Sequence, residues 1–218
     1  MPSTRLHCAG NLFAMFAAVL AASSTCTLCW LRVITTFDDL TVTEEIGLFQ
    51  DCTTYSGNQP GAEMCSDNII TTNVSDVVCG TKTVSDVNAF YRAVQVLSIL
   101  SAVFDAGGFF LAIVRCLCID HCPLGNGLLE ALCSSIGTAF AFSTWTLFIY
   151  GTQSWLNCGV SICTVAENER KGSSINCGYH ISLAMSVGAT IFSAVSAVIF
   201  FRNHARCQRM AAYTTLIQ

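Results

Sequence analysis

Charge is what this sequence has least of. Only 11% of its 218 residues are Asp, Glu, Lys or Arg, against 53% hydrophobic, less than half the charged share of an ordinary soluble domain at about 25%. That poverty excludes a water-solvated surface over most of the chain. Lys and Arg number 10 in all, too few and too scattered for a nucleic-acid face. No phosphate-cradling glycine loop, nucleophile triad or widely spaced pair of metal-ligand couples occurs, nor an Arg-rich amphipathic transit peptide. The composition implies a membrane protein, with the lipid bilayer as its first partner.

Charge is missing longest in four windows. Residues 9–31, 93–114, 131–150 and 179–201 hold no Lys or Arg and at most one acid. Each has the length a helix rising ~1.5 Å per residue needs to cross a ~30 Å hydrocarbon core. Four transmembrane helices are therefore expected, at 9–31, 92–114, 131–150 and 179–201. The first window could instead be a secretory signal, since Arg5 precedes it and small residues follow in "AASST"; its length favours an uncleaved helix.

These spans leave a long loop at 32–91, a short connection at 115–130, a second loop at 151–178 and a tail at 202–218. Arg5, Arg115, Arg202, Arg206 and Arg209 lie on the side of the termini, which the positive-inside rule makes cytosolic. Cys52, Cys65 and Cys79 in the first loop and Cys158, Cys163 and Cys177 in the second suit disulfide staples in an oxidising compartment. The one sequon, at Asn73, lies in the first loop as well.

Thr, Val and Ile dominate the first loop, and Gly57, Pro60 and Gly61 interrupt it with a turn. Three or four short antiparallel strands are expected there, with "VSICTV" at 160–165 adding an edge strand. The fold class is then an all-α membrane bundle of four transmembrane helices with a small extracellular antiparallel β-sheet cap. Acids outnumber bases in the first loop, so the cap should be acidic. Small residues at four-residue spacing, Ala14, Ala18 and Ala22 in the first helix and Ala189, Ser193 and Ala197 in the fourth, mark packing faces.

Several clusters could carry chemistry. Cys26-Thr-Leu-Cys29 has the spacing of thiol-disulfide exchange sites, and a membrane thiol oxidoreductase is the enzymatic alternative. No Lys, Arg or His lies within that helix to activate a thiol, so a non-enzymatic protein without cofactor or small-molecule substrate is expected. Cys116, Cys118, His121 and Cys122 fit S-acylation, unmodified thiols or a tight metal site; acylation of Cys116, Cys118 and Cys122 is the modification considered. Asp105 sits deep in the second helix, where a carboxylate is costly. With no basic residue in any span, a protonated Asp105 bonded to Thr144, Ser186 or Thr190 is expected as structural glue; an accessory or pore-forming channel subunit is the other alternative. His180 reads as an interfacial anchor, and Glu167, Glu169, Arg170 and Lys171 as a solvated loop tip.

One ordered motif spans the first loop: Trp30, then Gly47-Leu48-Phe49-x-x-Cys52, then Cys65, then Arg92. It resembles the W…GLW-x-x-C…C…R signature of the claudin-like tetraspan superfamily, which includes claudins, peripheral and epithelial membrane proteins and calcium-channel gamma subunits. The "FYRAVQVLSIL" opening of the second helix looks most like amastins, the trypanosomatid surface glycoproteins. Phe49 stands where the family has Trp, and the amastin Trp-Gly pair is absent. The resemblance implies a Cys52–Cys65 bridge, a plasma-membrane multi-pass protein and a homo-oligomer or larger assembly. Cys79 would then reach the second loop, or two second-loop cysteines would pair and leave Cys79 the third. Physically the motif is a tether: Trp30 is expected to fix helix depth at the lipid–water boundary, with Leu48 and Phe49 buried against the bundle top or in lipid.

Overall fold

The computed structural model of the chain describes residues 2–27, 29–37, 40–57, 63–67, 77–79, 82–117, 127–155, 161, 163–164 and 174–217. Four long helices run through it: α1 Pro2–Cys26, α2 Val84–Leu117, α3 Leu128–Tyr150 and α4 Ile181–Ile217. Each contains a stretch long and apolar enough to cross a membrane: Cys8–Cys26, Ala89–Cys116, Leu128–Gln153 and Ile181–Arg209. The protein is membrane-embedded. The helices do not stop where the charge-free windows do, because apolar composition marks membrane thickness while helical backbone continues through good helix formers such as those of "NHARCQRMAAY". Conversely α1 ends at Cys26 rather than residue 31, since Leu31 already belongs to a strand.

Residues 1–23, 98–142 and 185–218 form one compact unit, and residues 24–97 and 143–184 a second. The first is a four-helix bundle.

Along each helix the buried residues alternate three- and four-residue steps. They are Gly10, Ala14, Ala17, Ala21 and Ser24 on α1, and Tyr91, Val94, Ser98, Ser101, Asp105, Gly108 and Ala112 on α2. On α3 they include Glu130, Ser134, Gly137, Ala141, Thr144 and Phe148, and on α4 Ser182, Ser186, Ala189, Ser193, Ser196, Phe200 and Asn203. This is a heptad seam, the pattern of left-handed helix packing. It is lined mostly by Gly, Ala, Ser and Thr, whereas Leu12, Phe16, Val19, Val103, Phe110, Phe142, Ile191 and Val198 are exposed. Such a distribution suits lipid as solvent, where small residues let helix backbones approach and large apolar ones face the bilayer.

The expected face of α4 holds, with Ala189, Ser193 and Ala197 buried. That of α1 is corrected: Ala14 is buried, but Ala18 is half-buried and Ala22 exposed, while Ala17 and Ala21 face inward. Steps of four drift by about 40° each on a 3.6-residue helix; only alternating steps keep one face.

The second unit holds a five-stranded antiparallel sheet. Strands β1 Leu31–Thr36, β2 Leu40–Ile46, β3 Gln50–Gly57 and β4 Glu63–Asp67 come from the first loop, and β7 Ser174–Tyr179 from the second, in the order β4-β3-β2-β1-β7. A short ribbon pairs β5 Val77–Cys79 with β6 Lys82–Thr83.

The edge strand is thus not "VSICTV": residues 163–164 are helical and the rest of 160–165, apart from Ser161, lies outside the described residues. Position decides this. Strand β1 begins shortly after α1 and β7 ends just before α4, so the two are brought side by side, with His180 N–H bonded to Trp30 O at 3.0 Å.

Candidate functional site

Among the described residues, two constellations are built closely enough to do something. The first is the Trp30 tether within the second unit. Trp30 is fully buried, so it is a core residue and not the lipid–water anchor expected from its amphipathic ring. Its indole Nε1–H donates to Ser24 O at 3.0 Å, its backbone N–H donates to Ile46 O at 2.9 Å, and its ring lies 5.0 Å from that of Phe148.

Leu48, also fully buried, joins Trp30, Leu31, Val94, Phe148 and Leu183 in one cluster, against which Phe49, Phe90, Cys163 and Cys177 pack. The Gly47-Leu48-Phe49 turn puts it there: Gly47 N–H donates to Gln50 O and to Asp51 Oδ1, each at 3.1 Å. Leu48 O in turn accepts a 2.6 Å hydrogen bond from Gln95 Nε2 of α2.

Cys52 and Cys65 face each other across β3 and β4 and form a disulfide, with Cα atoms 4.1 Å apart. Cys163 and Cys177 form another, which ties the edge strand back to its own loop. Cys79 is the last residue of β5, and Cys158 lies outside the described residues, as do Asn73, Cys118 and Cys122. Arg92 is exposed and takes no part in the tether. Gln95, three residues later and so one helical turn on, supplies the contact; it was visible in sequence as the Gln of "YRAVQ".

Cys26 and Cys29 are both free thiols, Cys26 exposed and Cys29 buried. Burial, with Glu45 nearby, pushes the Cys29 thiol up, outweighing the lowering influence of Arg32. A thiol held protonated is a poor nucleophile. Cys116, near the end of α2, is half-buried and accepts a 2.9 Å hydrogen bond from Asn11 Nδ2.

The second constellation is the carboxylate in the bundle. Asp105 is 2% exposed. Its partner is Ser193 of α4, whose Oγ lies 2.5 Å from Asp105 Oδ1, and not Thr144, Ser186 or Thr190. Ser193 Oγ also lies 2.8 Å from Ser134 O. A hydroxyl has one hydrogen to give, and a carbonyl has none. The carboxyl group is the member of this triad able to bring the second.

From there the network continues: Ser134 Oγ is 3.5 Å from Ser196 Oγ, Ser196 Oγ donates to Gly10 O at 3.2 Å, and Ser101 Oγ donates to Gly137 O at 3.4 Å. All four helices of the bundle meet in it. Gly137 leaves room for the carboxyl, since a Cβ there would lie 2.8 Å from Asp105 Cγ. Asp105 Oδ2 has no hydrogen-bond partner among the described residues.

No family model and no curated protein matches this chain. What stands is the layout itself: four apolar helices and a disulfide-stapled antiparallel sheet, an arrangement that fits the claudin-like tetraspan plan.

Proposed function

We propose that the chain is a non-enzymatic, claudin-like cell-surface protein whose membrane bundle displays a disulfide-stapled sheet for lateral assembly or contact with a neighbouring cell. The observation that carries this reading is the tether. A Trp at the end of α1, a Leu at a hairpin turn and a Gln on α2 are locked together, while a cross-strand disulfide stiffens the hairpin from the other side. Such a construction fixes a sheet to helix ends, which suits display. Asp105 serves within this reading as glue between helices, its hydrogen bonds supplying the association that lipid cannot.

Plasma-membrane location, cytosolic termini, glycan on Asn73 and acylated Cys116, Cys118 and Cys122 belong to the same proposal. It rests there on the Arg bias, the loop cysteines and the sequon. Native mass spectrometry from mild detergent tests it: complexes of more than one chain are expected, and the Cys52→Ser/Cys65→Ser double variant should shift them toward monomer. Monomer in both proteins would overturn the assembly reading.

A further inference from the structure

Where β1 and β7 run into α4, the sheet carries a notch that display of the cap does not require. It is a cavity of about 240 Å³ lined by Arg32, Ile34, Asn176, Gly178, Tyr179 and His180. Strand register makes it. Arg32 pairs with Gly178 and Ile34 with Asn176, so these four share one face of the sheet, and Arg32 stands opposite a residue without a side chain. A Cβ at Gly178 would meet nothing within 4 Å. Among the described strands β7 is also an edge, bonded to β1 alone.

The lining sets a few hydrogen-bond donors among apolar surface. Arg32 pairs through Nη2 with Glu45, its cross-strand neighbour on β2, so the guanidinium is held in place. Arg32 Nε and His180 Nδ1 are closed off from solvent and have no hydrogen-bond partner among the described residues, so an oxyanion in the notch would meet the other nitrogens of these two side chains. Tyr179 differs, its hydroxyl lying 3.0 Å from Thr152 Oγ1. Helix α4 starts at Ile181, one residue past His180, and the backbone N–H groups of a long helix's first turn favour negative charge. A fixed guanidinium, an imidazole, an amide and a helix start around an open notch match the acceptor oxygens of a tetrahedral oxyanion. The fourth stretch long and apolar enough to cross a membrane begins at Ile181, one residue past His180, and lipid phosphates line the end of such a span.

We propose that this notch binds a phosphate-class oxyanion, supplied by the head group of a membrane phospholipid. Arg32 and His180 would hold the phosphate, and Gly178 would admit it. His180 then has a ligand role beyond that of an interfacial anchor.

The test uses the full chain in mild detergent, with lipid retention read by native mass spectrometry and thermal unfolding read in parallel. Three probes are titrated: phosphatidylglycerol, inorganic phosphate, and a phosphate-free glycosyl diacylglycerol. The expected result is one phosphatidylglycerol retained per chain, bound at least tenfold more weakly by Gly178→Leu, which fills the notch where no atom opposes it, and by His180→Phe. Retention of the glycolipid should be lower and equal in all variants.

Competition by inorganic phosphate, lost in the same variants, would support the oxyanion site and show that free anion can fill it. Phosphatidylglycerol retained equally by wild type, Gly178→Leu and His180→Phe would overturn the proposal, as would equal retention of the glycolipid. Arg32→Gln is informative only alongside Gly178→Leu, because it also breaks the pair with Glu45.

Discussion

Replacing Gly137 by Ala tests the bundle at its tightest point. In an ordinary helix this change stabilises by roughly 1 kcal/mol, because Ala has the higher helix propensity. Here the new Cβ would run into Asp105 Oδ1 and lie 2.8 Å from Asp105 Cγ, well inside ordinary van der Waals contact, so the carboxyl must retreat. Ser193 cannot follow while it also serves Ser134 O at 2.8 Å.

Overpacking of a filled interior costs about 1–3 kcal/mol, and a hydrogen bond between membrane helices is worth about 0.6–1.7 kcal/mol. Less the propensity gain of about 1 kcal/mol, the net loss is about 0.6–3.7 kcal/mol. Gly107 is the internal control. It lies two residues beyond Asp105, and a Cβ there meets nothing within 4 Å, so Gly107→Ala should be neutral or stabilising by up to about 1 kcal/mol.

Equilibrium unfolding in mixed detergent micelles reads both, together with the cycle in which Asp105→Ala removes the obstructing group. Gly137→Ala should cost at least about 1 kcal/mol less in that background. If Gly137→Ala is as stable as Gly107→Ala, or costs the same with and without Asp105, the packing described here is wrong.

Other consequences follow from the same geometry. Asp105→Asn should assemble as the wild type does, because an amide also supplies the hydrogen that Ser193 and Ser134 O require; a well-assembled Asn variant that lost a measurable ion or proton flux would favour a channel over glue. Trp30→Phe removes the indole donor to Ser24 O and should cost about 1–2 kcal/mol, while Trp30→Ala should cost about 3–5 kcal/mol, read as protease sensitivity of the first loop. Unchanged sensitivity in the Ala variant would refute the tether. Non-reducing peptide mapping should recover Cys52–Cys65 and Cys163–Cys177, and a third bridge joining Cys79 to Cys158, the two loop cysteines then left. A bridge from Cys26 or Cys29 to any of these would promote the oxidoreductase instead.

What could be read from the sequence divides along a physical line. The four spans and the strands of the first loop were legible because both are local: charge-free length marks a span, and runs of Thr, Val and Ile mark strands. The Cys52–Cys65 bridge came from family likeness, and register shows why it forms, since the two are directly opposed.

Relations between distant segments were not legible. Strand β7 lacks the β-branched density of "VSICTV" and is a strand because it ends where α4 begins, beside β1. Ser193 was already marked as part of the small-residue face of α4, yet its role as partner of Asp105 depends on the register between two helices 88 residues apart. The burial of Trp30 was not legible for the same reason: its environment is made by Leu48, Val94, Phe148 and Leu183, from four separate segments.

Two-step thiol labelling of intact cells tests the central claim most directly. Exposed free thiols are first blocked with a membrane-impermeant reagent, an impermeant reductant is added, and an impermeant maleimide of distinct mass then marks what has been opened. A sheet displayed outside a bundle with cytosolic ends should yield maleimide label on Cys52, Cys65, Cys163 and Cys177 before permeabilisation, with the free thiol of Cys207 taking the blocking reagent only afterwards. Blocking of Cys207 in intact cells, with the four bridged cysteines silent until the membrane is opened, would contradict the account.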